Sequence, residues 1–330
     1  MTPKRFPILF ITASRIGDAV LSSGLIKALA DEIPGARFTI VAGPLAAPLF
    51  ARTPRLDRVI VFEKRPLGGH WYTLWRRVRG RRWGLIVDLR GSPISSVLMR
   101  RRRAVYKAGG PVAHKVIEAA RLLNLEGEPP APTLYTGADI DTHAAALTRG
   151  DGPILAIGPG TNWVGKTWPA ERFSQVVRAL LGPGGQLAGG RLMILGGPED
   201  KALGAAVRGA VAKDRLIELA GKIDLLTAFA VLKHARLYIG GDSGLMHLAA
   251  AAGTPTLGLF GPSDERLYAP WGPNTRVVRG PRSFDDIRAR DPHLSHAVCH
   301  MMDLSVPRVV AAARALIADT APGASHDPDL

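Results

Sequence analysis

The sequence has a single cysteine, Cys299, in 330 residues. One thiol cannot build a disulfide framework, a CxxC redox pair or a Cys-rich zinc site within a chain. A cytosolic setting is the default expectation for such cysteine usage. Long apolar runs are also missing. The stretch Ile8–Ala13 is short and is followed at once by Arg15 and Asp18, so it reads as a strand and not as a signal peptide. No run is long enough to span a bilayer. The histidines lack metal-ligand spacing with Cys, Asp or Glu, so no metal and no cofactor are expected. Acidic residues are in short supply: 28 Asp and Glu face 43 Lys and Arg, a net charge of +15. That balance asks for an anionic partner, which would be nucleic acid, an acidic membrane surface or a phosphorylated substrate. Helix-turn-helix, RRM, KH and zinc-finger signatures are all absent, and the arginine clusters carry no repeated aromatic interleaving. Nucleic acid is therefore not the expected partner.

What is present is apolar substance for two cores: 46% of residues are hydrophobic, in a chain long enough for two domains. Strand-like and helix-like stretches alternate. Phe6–Ala13, Phe38–Ala42, Val59–Phe62 and Leu85–Leu89 read as strands of a first half, and Val105–Ala108 could be another. Ala19–Ile33, His70–Arg79, Ser95–Arg102 and His114–Leu125 read as its helices. The pattern restarts after a Pro- and Gly-bearing region, with strands at Ile154–Ile157, Arg191–Leu195, Leu216–Leu219, Ala235–Ile239, Thr256–Phe260 and Val277–Val278. This alternation predicts α/β domains with parallel sheets. The expected division is 1–150 and 151–330. The weak helix Ile140–Leu147 could belong to either side, and the last helix, 306–317, could return to pack on the first half. Thr320–Leu330 reads as a polar tail.

The most informative stretch runs from Gly240 to Pro255. A buried strand ends at Gly240-Gly241, Asp242 and Ser243 stand at a helix start, and Leu- and Ala-rich sequence follows up to Gly253-Thr254-Pro255. A Gly-rich turn at a helix N-terminus offers unpaired N–H groups and a positive dipole end, which suits a phosphate. Asp242 could accept from ribose hydroxyls, or Asp242 and Ser243 could simply cap the helix; the local pattern does not choose. Two similar turns, Gly158–Gly160 and Gly196-Gly197, also follow strands. Three such turns on one edge of a parallel sheet argue for a nucleotide or phosphate site in the second half. None is a GxGxxG or a GxxxxGK[ST], so neither a dinucleotide fingerprint nor a P-loop is implied.

Together these motifs resemble a family. Ser14-Arg15-Ile16-Gly17-Asp18-Ala19-Val20-Leu21 is similar to the N-terminal signature of family 9 glycosyltransferases, the lipopolysaccharide heptosyltransferases. Gly158-Pro159-Gly160 with Lys166-Thr167-Trp168-Pro169 and Phe173 resembles their phosphate-binding segment. Gly196–Asp200, the run from Asp242 to Ala249, Gly253–Pro255 and Leu259–Pro262 match as well. The resemblance covers about Ile8–Ile317. It implies a GT-B fold, two Rossmann-like parallel-sheet domains facing across a cleft, with the acceptor on the N-terminal domain and the nucleotide-sugar donor on the C-terminal one. It also implies an inverting, metal-independent transfer of heptose from ADP-heptose to the inner core on lipid A.

Carried over residue by residue, the resemblance makes Asp18 the catalytic base, where the plain reading is a helix cap. It makes Lys166 the cation that stabilises the leaving diphosphate. Thr161 and Asn162 would offer further donors, although the family often has a hydroxyl at both positions. Asp242, Ser243, Gly244, Leu245 and His247 match the diphosphate and sugar run. Glu199 would bind ribose hydroxyls, or merely start a helix, and Ile223 fits an apolar position near the adenine. On the acceptor side stand Arg15, Arg90 and Arg100, Arg101, Arg102 and Arg103, because Arg pairs with phosphates and carboxylates in bidentate fashion. The Arg76–Arg82 cluster belongs to the same group. The expected partners are a nucleotide-sugar donor, an anionic glycolipid acceptor and an anionic membrane surface. The expected location is cytoplasmic, peripheral on the inner membrane. Rivals are a GT-B transferase with another sugar, a related sugar epimerase, and a non-catalytic binder of anionic glycolipid or nucleic acid.

Overall fold

The structure, a computed structural model, describes residues 4–63, 68–294 and 298–321. Most of the expected polar tail, 322–330, lies outside the described residues. The chain divides into two compact units, Met1–Gly137 and Ala138–Leu330.

The first unit carries five strands: β1 (Phe6–Ile11), β2 (Ala36–Ala42), β3 (Leu56–Val61), β4 (Trp83–Asp88) and β5 (Arg100–Val105). They form one parallel sheet in the order β3-β2-β1-β4-β5. Its helices are α1 (Ile16–Leu21), α2 (Gly24–Glu32), α3 (Gly69–Val78), α4 (Ile94–Val97) and α5 (Lys115–Ala120). Strands of this kind are apolar on both faces because helices cover both faces, and β1 is buried from Ile8 to Ile11.

Two elements differ from the sequence pattern. The expected single helix Ala19–Ile33 is two helices, broken at Ser22-Ser23. Their hydroxyls donate back to Ala19 O (3.1 Å) and Val20 O (2.7 Å), competing with the helical ladder. Gly24 is pinned there because a side chain would meet the carbonyls of Pro130 and Ala131. The arginines expected at the end of helix Ser95–Arg102 instead open strand β5. The helix stops at Val97, and Arg100–Val105 pairs with β4, Arg100 beside Trp83 and Arg103 beside Ile86. β5 is an edge strand, where charge is the usual protection against stray pairing.

The second unit has six parallel strands: β6 (Ile154–Gly158), β7 (Arg191–Ile194), β8 (Leu216–Glu218), β9 (Leu237–Gly241), β10 (Thr256–Phe260) and β11 (Thr275–Arg279). Their order is β11-β10-β9-β6-β7-β8. Its helices are α6 (Ala138–Leu147), α7 (Ala170–Leu181), α8 (Lys201–Arg208), α9 (Leu225–Leu232), α10 (Gly244–Ala251), α11 (Glu265–Tyr268), α12 (Phe284–Arg290) and α13 (Val306–Asp319). α6 packs on α9, so the division falls ahead of α6 and not at residue 150. α13 lays Val309, Ala313, Leu316 and Ile317 into the core shared with α7 and strands β9 to β11. Its apolar face is thus used within the second unit.

Each sheet starts in the middle, runs outward, and then restarts on the other side. The switch points lie between β1 and β4 in the first unit and between β6 and β9 in the second. Crevices outside the carboxyl ends of strands at such points are where open α/β sheets bind ligands.

Candidate functional site

In the second unit, β6 ends at Gly158 and β9 at Gly241, side by side at the switch point. The chain leaving β6 passes through Thr161 and a 3-10 turn, Val164–Lys166. The chain leaving β9 passes through Asp242 to α10, with Ser243 at the cap position. Here Lys166 Nζ donates to Asp242 Oδ2 at 2.9 Å, across 76 residues of sequence. The pair is mostly shielded, with side chains 16% and 13% exposed. Ser263, on the turn after β10, donates to the same oxygen at 2.7 Å. His247, one turn into α10, holds Nε2 3.7 Å from Asp242 Oδ1. Burial works to raise the Asp242 pKa. The imidazole, the Lys166 charge and the Ser263 hydroxyl outweigh it and hold the carboxyl well below the usual carboxylate range.

Around this cluster His247 Nδ1 is buried without a hydrogen-bond partner, and the buried hydroxyls of Tyr238 and Ser243 have at best each other. A buried group left unpaired costs roughly 1–3 kcal/mol, so the arrangement calls for a reason. Tyr238 lies on β9 two residues before Gly240, on the same face. A Cβ at Gly158 or at Gly240 would overlap its hydroxyl. The two glycines therefore make room for a phenol that reaches the carboxyl edge of the sheet, and burial pushes that phenol's pKa up.

The other residues singled out from the sequence are distributed around the same edge. Thr161 Oγ1 is engaged within its own loop, 2.8 Å from Trp163 O and 2.8 Å from Thr167 Oγ1. Asn162 is exposed. Glu199 follows β7, exposed in the 3-10 turn Pro198–Asp200. Beside it Asp200, the last residue of the Gly196–Asp200 run, accepts from Gly197 N at 2.8 Å and fills the space a side chain at Gly160 would need. Ile223 is half-buried in the turn between β8 and α9. Gly244 and Leu245 open α10. Ser263 and Tyr238 were not singled out. A hint of the first was its place after Gly261-Pro262 on the next strand end; the second gave no signal beyond a tyrosine in a buried strand.

The 3-10 turn that presents Lys166 is clamped from behind. His300 N donates to Gly165 O (2.9 Å), Cys299 Sγ to Thr167 O (3.3 Å), and Trp168 Nε1 to Leu304 O (3.0 Å). Groups of three or more His, Cys, Asp or Glu side chains placed to hold a metal are absent among the described residues.

In the first unit the switch point is also marked. Asp18 is half-buried in the first turn of α1, whose cap position is Arg15, so Asp18 is not the helix cap. The turn after β4 is fixed by the fully buried Asp88, which accepts from Arg90 N (3.0 Å), Ser92 N (2.9 Å) and Ser92 Oγ (2.5 Å). Arg90 then reaches across to Ser14 Oγ at 2.8 Å and lies over the Phe62 ring, 4.9 Å from its centroid. Arg15 is exposed on the same edge. Arg100 is not brought there: it stands beside Trp83, five residues or about 16 Å of strand below the Asp88 row, whereas Arg103, beside Ile86, is two residues or about 7 Å below it and turns its guanidinium to Ser96 Oγ.

Two doubly wound sheets, each with polar residues gathered at its switch point, define a two-unit α/β protein whose second unit carries a largely shielded Lys–Asp pair at a helix N-terminus. A family model, Glycosyltransferase family 9 (heptosyltransferase), matches residues 111–293. The chain belongs to that family and is a glycosyltransferase of GT-B fold class. It is 22% identical to lipopolysaccharide heptosyltransferase 2 of Salmonella typhimurium, over 94% of this chain and 99% of that one. The E. coli ADP-heptose lipopolysaccharide heptosyltransferase II structure is similar with a TM-score of 0.75 at 20% identity, covering 95% of this chain and 99% of that one. An E. coli heptosyltransferase solved with ADP gives a TM-score of 0.71 at 17% identity, over 94% of this chain and all of that one (100%).

Proposed function

We propose that the chain transfers a heptosyl unit from ADP-heptose to the inner core of lipopolysaccharide or a related glycolipid, with inversion and without a metal. The observation that carries this reading is the Lys166–Asp242 pair at the switch point of the second unit, set beside buried polar atoms short of partners. Relatives named as heptosyltransferases supply the sugar and the acceptor class.

In this account the donor's diphosphate lies at the N-terminus of α10. The backbone N–H groups at Ser243–Leu245 and the helix dipole meet its charge. Lys166 supplies the cation, and Asp242 and His247 face the sugar. Glu199 and Ile223 take the ribose and the adenine. The acceptor hydroxyl oxygen bonds to the anomeric carbon as the bond from that carbon to the diphosphate oxygen breaks. Asp18 receives the hydroxyl proton. Lys166 stabilises the negative charge that accumulates on the departing ADP, a role best served by a preorganised donor in a shielded site. Arg15 and Arg90 bind the anionic acceptor. The enzyme works as a peripheral protein at the anionic cytoplasmic leaflet. Among the described residues no helix is long and apolar enough to cross a membrane.

The test is turnover of ADP-heptose with a heptose-deficient lipopolysaccharide acceptor in EDTA, followed by mass spectrometry. Product should form with the native chain. Asp18→Ala should lower kcat by roughly 10²–10⁴ while ADP still binds. Product formation that requires added metal, or an unaffected Asp18→Ala variant, would refute the mechanism.

A further inference from the structure

The charge of this chain is not spread evenly. Between residues 64 and 117, fourteen residues are Lys or Arg and one is acidic, Asp88. Asp88 is fully buried and spent on the turn after β4 and on Arg90, while Arg81 and Lys115 pair with Asp57 and Glu118 outside the segment. This segment includes α3, α4 and β5. α3 and α4 cover the same face of the first sheet: Leu74 and Val78 of α3 share one core with Ile94, Leu98 and the sheet's Leu9, Ile11 and Ile86.

The outer side of that layer is unusual in two ways. Along α3, Tyr72 stacks on Trp75 with centroids 6.0 Å apart. Arg76 covers the Tyr72 ring at 6.0 Å, and Arg79 covers Trp75 at 4.4 Å. Tyr72 is 62% exposed, and next to α4 Val97 and Met99 are 66% and 61% exposed. Arg100 and Arg103 of β5 lean onto this same layer. Arg100 Nη1 donates to Ser96 O and Leu98 O, and Arg103 Nη1 to Ser96 Oγ at 2.6 Å. Apolar and aromatic tips ringed by guanidiniums, with no accessible carboxylate in the segment, are complementary to a surface that is negative outside and apolar just beneath.

We propose that the outer side of the α3–α4 layer, with the β5 edge, docks the enzyme on an anionic bilayer. This gives a physical site to the membrane attachment in the functional reading above and rests on that reading only for its purpose. Tyr72 is suited to the headgroup level, where one end is wet and the other apolar, and Trp75, packed against the core beneath, backs its ring. The arginine stems extend alongside while their heads reach lipid phosphates. The observations favour a bilayer over nucleic acid because the exposed apolar tips of Val97 and Met99 accompany the arginines, and a bilayer has an apolar layer to receive them where a phosphate backbone has none. They also account for the guanidiniums of Arg100 and Arg103, which turn to Ser96 and Leu98 of this layer.

The experiment is co-sedimentation of the full chain with vesicles of phosphatidylcholine alone and of equimolar phosphatidylcholine and phosphatidylglycerol. Three chains are compared: native, Arg76→Glu with Arg79→Glu, and a control of equal charge change on exposed residues of the second unit, Arg288→Glu with Arg314→Glu. ADP binding is measured on all three. The native chain should bind the anionic vesicles and not the neutral ones. The α3 variant should bind at least about thirtyfold more weakly, because losing two basic residues at about 1 kcal/mol each already gives that factor and the two new carboxylates are repelled as well. The control should keep most of its binding, and Tyr72→Ser with Met99→Ser should weaken binding with no change of charge. Equal losses in the α3 variant and the control would reduce the effect to net charge and overturn the proposal. So would a native chain that ignores anionic vesicles, or one that binds duplex DNA in their place. ADP binding reports the donor site separately, so its absence would damage the transferase reading and leave the docking result standing.

Discussion

Lys166→Met is the substitution that tests the second-unit site most sharply on stability. Lys166 Nζ is 2.9 Å from Asp242 Oδ2, and both side chains are largely shielded. At that distance and an effective dielectric of about 20, the Coulomb attraction is roughly 6 kcal/mol before desolvation is charged against it. Methionine keeps the stem and removes the charge, which leaves Asp242 as a buried carboxylate with only Ser263 and His247 beside it. Removing one partner of a buried pair costs about 3–5 kcal/mol, and because water still reaches the pair in part, a loss of about 3 kcal/mol is expected here. Urea unfolding at neutral pH should show that loss in the transition of the second unit, with the first unit's transition unmoved. The pH dependence has a definite sign. Asp242 is held below its ordinary value in the native chain, so its contribution is present above the unfolded value of about 3.9 and is lost as pH falls toward the folded value. In the variant, burial is opposed by less, and the folded pKa rises. The gap between variant and native should therefore be widest at neutral pH and narrow as pH falls through that raised value. Adding Asp242→Asn to Lys166→Met should recover much of the loss. A loss below about 1 kcal/mol, the range of exposed ion pairs, or a gap that widens on acidification, would refute the reasoning.

Gly158→Ala should destabilise the second unit by about 1–3 kcal/mol through overpacking against the Tyr238 hydroxyl, and Tyr238→Phe in the same chain should recover part of it; thermal unfolding of the single and double variants decides. Asp88→Ala strips three acceptor contacts from the turn that carries Arg90. It should cost about 2–3 kcal/mol in the first unit and leave ADP binding intact, which calorimetry would read. Ser263→Ala removes a hydroxyl that donates to Asp242 and should weaken ADP-sugar binding several-fold with little change in overall stability, as a titration would show.

Much of this architecture was legible because its signals are local. Alternating apolar strands and Gly-terminated turns placed ten of the eleven strands near their observed positions, and a stretch as plain as Val277–Val278 grew into β11. Edge strand β5 is expected only at Val105–Ala108 and its arginines are given to a helix, because four consecutive arginines carry no apolar period. What makes them a strand is pairing with Trp83–Val87, a partner that a local reading does not contain. The break at Ser22-Ser23 was hidden for a similar reason: the hydroxyls that interrupt the helix are held by Thr12 and by Thr133 N, both distant in sequence. At the site, Asp242 and Lys166 stood out by motif, but their ion pair did not. Ser263 and Tyr238 act by reaching a neighbouring strand end, which depends on the strand order at the switch point and on two glycines that leave space.

The most direct measurement of the central claim is thermal stabilisation of the purified chain by ADP, UDP, GDP and CMP, each in EDTA. The account predicts a clear shift with ADP alone, equivalent to roughly 2.7 kcal/mol at a hundredfold over the dissociation constant, and a much smaller shift in Lys166→Met. A shift with UDP or GDP in place of ADP, or with none of the four, would contradict it.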